Sequence, residues 1–168
     1  PSLVGSEMCI RDSARAVRSV GLDNSKDMIR DVLAEIEWAK SALVSAEDYE
    51  SVIATTDRSA PADPAKVAEA FRRYEQSKAT PDMMHLDFDD LLMHIAGAIE
   101  NVPAIAETFR EQYRTFVVDE YQDVTPLQQR VLNAWLGERD DLTVVGDANQ
   151  TIYSFNGCLL YTSPSPRD

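Results

Sequence analysis

The chain has 168 residues, 44% of them hydrophobic, with 16 basic against 29 acidic side chains and a net charge of -13. No apolar stretch reaches the length of a secretory leader or a transmembrane helix, so no membrane role is expected and a cytoplasmic protein is the default. The acidic balance opposes unaided binding to a phosphate backbone, where affinity comes largely from Lys and Arg releasing counterions.

In chain order, Ser25 opens a helix whose apolar residues Ile29, Val32, Leu33, Ile36 and Leu43 recur at helical spacing and which ends near Val44. Ser45 with Asp48 three residues on makes a capping-box-like start to a second helix carrying Tyr49, Val52 and Ile53. The polar stretch Thr55 to Ala62 then breaks the pattern. Asp63-Pro64 starts a third helix with Val67, Phe71 and Tyr74 on its buried stripe, and Ala79-Thr80-Pro81 ends it. Asp87 is placed as the N-cap of the next, where Phe88, Leu91, Leu92, Ile95 and Ile99 form one apolar stripe. A further helix runs from Pro103 to about Arg114. Thr115 to Val118 has no polar alternation, which suits a strand covered on both faces. A helix introduced by Thr125-Pro126 and stopped at Gly137 leads to a second strand, Leu142 to Val145, completing a β-α-β unit.

Both strands deliver acidic and amide side chains at their carboxyl ends, where open α/β sheets place their ligand sites. An isolated Asp-Glu pair after a strand is usually a solvated turn. Here Asp119-Glu120 is joined by Gly146-Asp147 and, three residues later, Gln150. In a phosphate site Asp119 would hold Mg²⁺, mostly through its waters, because that ion gives up its hydration shell reluctantly. Glu120 would orient and deprotonate the attacking water, and Gln150 would contact a terminal phosphate. Ile152, Tyr153 and Phe155 are as readily core residues as a base-stacking surface.

Phe116-Val-Val-Asp-Glu-Tyr-Gln-Asp123 and Val144-Val-Gly-Asp-Ala-Asn-Gln-Thr-Ile-Tyr-Ser-Phe155 resemble motifs II and III of the UvrD/Rep/PcrA family of ATP-dependent DNA helicases. Leu86-Asp-Phe-Asp-Asp-Leu-Leu92 is similar to that family's D-F-x-D-L-L segment, and Glu35 to Lys40 to a helix of its inserted helical subdomain. The resemblance implies Asp119 as Mg²⁺ ligand, Glu120 as catalytic base, Gln122 as a coupling residue at the nucleotide site, Asp147 beside the nucleotide and Gln150 as γ-phosphate contact. Tyr153 and Phe155 become the DNA side, where stacked bases are worth about 1 to 3 kcal/mol each. Asn156 departs from the family pattern, where arginine is common.

The fold class so implied is α/β: an incomplete RecA-like P-loop NTPase domain, a parallel sheet fragment over residues 113–157, with a mainly helical inserted subdomain over residues 14–112. The implied activity is 3'-to-5' translocation on single-stranded or partly duplex DNA and its unwinding, driven by ATP with Mg²⁺. No G-x-x-x-x-G-K-[ST] phosphate-binding loop occurs in the chain, and the second motor domain with its arginines is missing. The segment alone is therefore expected to be inactive, and two strands with open edges to be unstable or aggregation-prone. A RecB-type nuclease-helicase shares these motor motifs. A non-enzymatic acidic helical interaction module is the other alternative, in which Asp119, Glu120 and Gln150 would not converge.

The two ends read differently. Met8-Cys-Ile-Arg-Asp12 and Cys158-Leu-Leu-Tyr-Thr-Ser163 can be encoded by reverse-complementary DNA. Residues 1–13 and 158–168 resemble translations of opposite strands of a transposase-based sequencing adapter, disordered and outside the fold. On that reading the ends contribute -1 of the net charge, and Cys9 and Cys158, both cysteines of the chain, lie in them. Nothing then supports a disulfide or a thiolate metal site.

Overall fold

The computed structural model describes residues 13–79 and 84–147. The chain divides into two compact units, Pro1–Phe88 and Asp89–Asp168. The described elements are a helix over residues 13–19 (α1), α2 (Lys26–Ser41), α3 (Tyr49–Thr55), α4 (Pro64–Lys78), α5 (Phe88–Asn101), α6 (Pro103–Gln112), β1 (Phe116–Val118), a 3₁₀ turn at Tyr121–Asp123, α7 (Pro126–Leu136) and β2 (Leu142–Val144). None of the helices described is long and apolar enough to cross a membrane.

The first unit is helical. Ser25 caps α2 by accepting the amide of Met28 at 3.3 Å, and Asp63 caps α4 by accepting that of Lys66 at 3.2 Å with Pro64 at the first helical position. Ser45 and Asp48 bond to each other, Oγ to Oδ2 at 2.7 Å and Asp48 amide to Ser45 Oγ at 3.1 Å. They form a turn ahead of α3, not the expected reciprocal cap. Val17, Val32, Ile36, Tyr49, Val67, Phe71 and Tyr74 are buried together. Side chains of this kind stabilise by about 1.5 to 3 kcal/mol each on full burial.

Two buried polar clusters cross this core. Glu35 on α2 accepts Tyr49 Oη at 2.8 Å and Arg58 Nη2 at 2.8 Å, while the Arg58 guanidinium lies 4.1 Å from the Trp38 ring centre. Burial, and then the Glu35 carboxylate, push the Tyr49 phenol well above its usual range. In the second cluster the segment after α4 returns antiparallel, pairing Met84 with Ala79, and carries Asp87 onto two buried ammonium groups. Lys40 Nζ reaches Asp87 at 2.7 Å and Lys78 Nζ at 2.5 Å; Tyr74 Oη donates to it at 3.2 Å. Glu75 takes a second contact from each lysine, at 3.3 and 2.7 Å.

The second unit places α7 between two parallel strands, with Phe116 opposite Leu142, Val117 opposite Thr143 and Val118 opposite Val144. Thr125 starts α7 with a full capping box: its Oγ1 accepts the Gln128 amide at 3.3 Å and Gln128 Oε1 accepts the Thr125 amide at 3.0 Å. Leu127, Val131, Leu132 and Leu136 are buried on α7, and Trp135 stacks on Phe116 with ring centres 5.8 Å apart. At the other end Gly137 has φ +60°, and a Cβ there would lie 2.7 Å from Arg110 Cζ. Arg139 then donates to the carbonyls of Tyr113 (3.1 Å), Arg114 (3.3 Å), Arg110 (3.4 Å), Trp135 (3.1 Å) and Leu136 (3.1 Å). One guanidinium thus satisfies chain ends of both α6 and α7.

Two expectations need correction. β1 is covered on one side only: Phe116 packs on Trp135, but Val117 is 71% exposed and its partner Thr143 is exposed too. No described element of the second unit lies over that face of the sheet. The apolar stripe of α5 is likewise largely uncovered, since Phe88 is 72% exposed and Leu91 and Ile95 are exposed, while Ala96 and Ile99 are buried. Residues at the right spacing make a face; they do not supply what packs on it.

Removing the carboxylate that neutralises two buried lysines is expected to cost about 3 kcal/mol. Asp87→Ala should lower the urea midpoint accordingly, and a midpoint within error of the native chain would rule that out. In the second unit Arg130 grips Glu100 at 2.9 and 2.6 Å, and this hydrogen bonding holds the Glu100 carboxyl below and the Arg130 guanidinium above their usual ranges. A carboxyl depressed in the folded state stabilises above its unfolded pKa and loses that contribution as pH falls through the folded one. The pair is more than one-third exposed on the arginine side, so screening limits it to at most about 1 kcal/mol. The stability gap between the native chain and Glu100→Gln should therefore close on acidification; a gap independent of pH would contradict the assignment.

Candidate active site

Because β1 and β2 are parallel and in register, their carboxyl ends emerge at the same edge of the sheet. The pairing continues past both strands: the Val145 amide donates to Val118 O at 2.8 Å, and the Tyr121 amide donates to Val145 O at 3.0 Å. Asp119 and Glu120 therefore leave β1 directly beside the chain that leaves β2. Both residues are solvent-exposed.

The backbone turns sharply at Glu120, which adopts left-handed φ 52° and ψ 41°. That conformation costs a residue with a Cβ about 1 kcal/mol or more. Local bonds hold it: Asp119 Oδ1 accepts the Glu120 amide at 2.9 Å, and the Asp123 amide donates to Glu120 O at 2.9 Å. Asp119 thus spends one lone pair on the turn and retains oxygen donors of the hard type that Mg²⁺ takes.

Gln122 is buried, 2% exposed, between the two motifs. Its Nε2 donates to Glu120 Oε2, and its Oε1 accepts the backbone amide of Asp147 at 3.0 Å. The exposed Asp147 therefore joins the site through its main chain. Gly146 makes the approach possible. A Cβ at that position would stand 2.5 Å from Gln122 Oε1, 3.1 Å from the Tyr121 amide nitrogen and 3.2 Å from that of Gln122. Tyr121 Oη donates to Gln129 Oε1 at 2.7 Å, tying the turn to α7, and Gln129 Nε2 passes on to Asn133 Oδ1 at 2.8 Å.

Of the residues singled out in the sequence, Asp119, Glu120, Gln122 and Asp147 meet at one edge. Gln150, Tyr153 and Phe155 lie outside the described residues, as do nearly all of the adapter-like ends. Gly146 as a spacer and the Tyr121–Gln129 bond were not anticipated. The glycine stood in plain view, since a small residue between a strand and an acid marks a close backbone approach; the tyrosine bond had no sequence signal. An open depression lined by Ala106, Glu107, Arg110, Arg114, Arg139 and Asp141 lies at the amino ends of the strands, away from these carboxylates.

Residues 10–162 match the family model described as UvrD/REP helicase N-terminal domain. The chain belongs to this family. Among UvrD-like relatives, it is 59% identical over 145 residues to the ATP-dependent DNA helicase UvrD2 of Mycobacterium tuberculosis, an overlap of 86% of this chain and 21% of that protein. It is 33% identical over 153 residues to the ATP-dependent DNA helicase UvrD1 of Mycobacterium leprae, covering 85% and 19%. With the ATP-dependent DNA helicase PcrA of Leuconostoc citreum identity is 28% over 146 residues, covering 87% and 18%. The chain thus spans about a fifth of the length of the curated relatives it matches. Its α/β architecture, largely helical with a small parallel sheet, fits part of a UvrD-type N-terminal domain.

The spacer role of Gly146 predicts a cost. Gly146→Ala should destabilise the second unit by about 1 to 3 kcal/mol, because backbone nitrogens as well as the Gln122 side chain stand in the way. Hydrogen exchange of α7 amides reads this, and unchanged protection would show that the approach is not tight.

Proposed function

We propose that this chain is the part of an ATP-dependent DNA helicase that carries its water-activating carboxylate. The observation that carries the reading is the junction of two separate sequence motifs at one sheet edge, with Gln122 bonded to Glu120 on one side and to the Asp147 amide on the other. An acidic interaction module has no need of that junction, and its presence favours the motor reading.

In this reading Glu120 takes the proton of the water that attacks the γ-phosphate, and Asp119 holds a hydrated Mg²⁺ beside it. The ion would supply charge neutralisation at the phosphates; Asp119, Glu120 and the amide groups orient what surrounds it. Asp147 and Gln150 are assigned to the nucleotide side, Gln150 at the γ-phosphate. Tyr153 and Phe155 are assigned to stacking on single-stranded DNA, with translocation 3' to 5' and the cytoplasm as the setting. An acidic segment suits this role where basic groups of other helicase domains complete the DNA groove. By itself the chain is proposed to be inactive, for it has no phosphate-binding loop to hold the β- and γ-phosphates in line. The ends, residues 1–13 and 158–168, are proposed to add nothing.

A chimera tests this. Residues 14–147 replace the matching segment of the M. tuberculosis UvrD2 relative, and ATP hydrolysis is followed with and without single-stranded DNA. DNA-stimulated turnover is expected, with Glu120→Gln reducing kcat by about 10²- to 10⁴-fold. An active chimera indifferent to Glu120→Gln would overturn the assignment of the base, and turnover by the 168-residue chain alone would overturn its proposed inactivity.

A further inference from the structure

We infer that Gln122 is a positioning residue that ties the Glu120 carboxylate to the loop after β2, so that a displacement of either is felt by the other. The inference rests on the reading of Glu120 as the base only for its consequence in catalysis. The tie itself stands on geometry.

Chemistry fixes which way the amide faces. A carboxylate can only accept, so Nε2 must point to Glu120; a backbone N–H can only donate, so Oε1 must point to Asp147. Both contacts are present, and the side chain between them is buried, so water is a poor substitute for either partner. A second, main-chain tie runs in parallel, from the Tyr121 amide to Val145 O. The turn at Glu120 is therefore linked to residues 145–147 twice, once through its backbone and once through its reactive side chain. The absence of a side chain at Gly146 is what lets the Gln122 carbonyl oxygen sit here, since a Cβ at that position would stand 2.5 Å from it.

The left-handed backbone at Glu120 sharpens the effect. A residue in that region depends on its surroundings to stay there. Drawing the loop at Asp147 away would break the amide contact and release Glu120 Oε2 from its donor. Conversely, a Glu120 carboxylate that turns toward another partner leaves a buried NH₂ seeking an acceptor.

The test uses amide hydrogen exchange and ¹H–¹⁵N spectra of the full chain and needs no nucleotide. Gln122→Met keeps the length and removes both hydrogen bonds; the Asp147 amide is expected to exchange at least about tenfold faster while Val131 and Leu132 amides in α7 are unchanged. Gln122→Glu keeps an acceptor for Asp147 but sets two carboxylates face to face, so Asp147 protection should largely survive while the Glu120 turn is perturbed. The deciding measurement is coupling: Glu120→Ala should shift the Asp147 amide resonance in the native background and leave it unmoved in Gln122→Met. An equal shift in both backgrounds, or native-like Asp147 exchange in Gln122→Met, overturns the inference. Should the coupling hold while the chimera ignores Glu120→Gln, the tie stands and the assignment of the base falls.

Discussion

The site depends on the parallel, in-register pairing of β1 with β2. Antiparallel pairing would send Asp119 and Asp147 to opposite edges of the sheet, and a slip of one residue would turn the side chains of a whole strand to the other face. With Phe116 set opposite Leu142, the first residues beyond both strands become neighbours, and the hydrogen bonds of Val145 to Val118 and Tyr121 to Val145 extend the sheet into the site. Parallel strands need a crossover, and α7 supplies it, capped at Thr125 and stopped at Gly137. The Phe116–Trp135 stack then fixes which face of the strand the helix covers.

The first unit solves a different problem. Its stability rests on apolar side chains from α1 to α4, yet three charged groups of that unit, Glu35, Lys40 and Lys78, are buried within it. Each has partners of opposite charge: Arg58 for Glu35, and Asp87 with Glu75 for the lysines. Such pairs contribute little net energy compared with apolar replacements, but they penalise arrangements in which the partner is absent. Asp87 is the last residue but one of its unit. Its fixed place at the end of the returning segment therefore sets where the chain leaves the helical core.

What the sequence made legible follows from how local each feature is. Ser25, Asp63 and Thr125-Pro126 marked helix starts correctly, because a cap is decided within four residues. The β-α-β order was legible from the same kind of local signal. Asp119 and Glu120 were found because their chemistry is written in the side chains, and the resemblance to a known motif pair linked them to Asp147. Coverage was not legible: Val117, Phe88 and Leu91 carry the pattern of buried residues and are exposed, since burial depends on what else is present to pack. The ion pair of Asp87 with Lys40 and its bond from Tyr74 were not legible either, because those partners are distant in sequence. The two-ended contact of Gln122 could not be read either, for one end of it is a main-chain group 25 residues away.

Arg139 has a consequence for how the second unit comes apart. Its five acceptors belong to the closing turns and exits of two helices, so neither α6 nor α7 can fray at that end without stripping donors from the other. The nearby Arg110 adds a bond to Ala134 O at 3.2 Å and packs over Gly137, where its guanidinium leaves no room for a side chain. Helix ends normally open independently and first. Here shared donors join the two ends at the edge of the sheet opposite the carboxylates, while the Glu120 turn is held to the other end of α7 by the separate Tyr121–Gln129 bond.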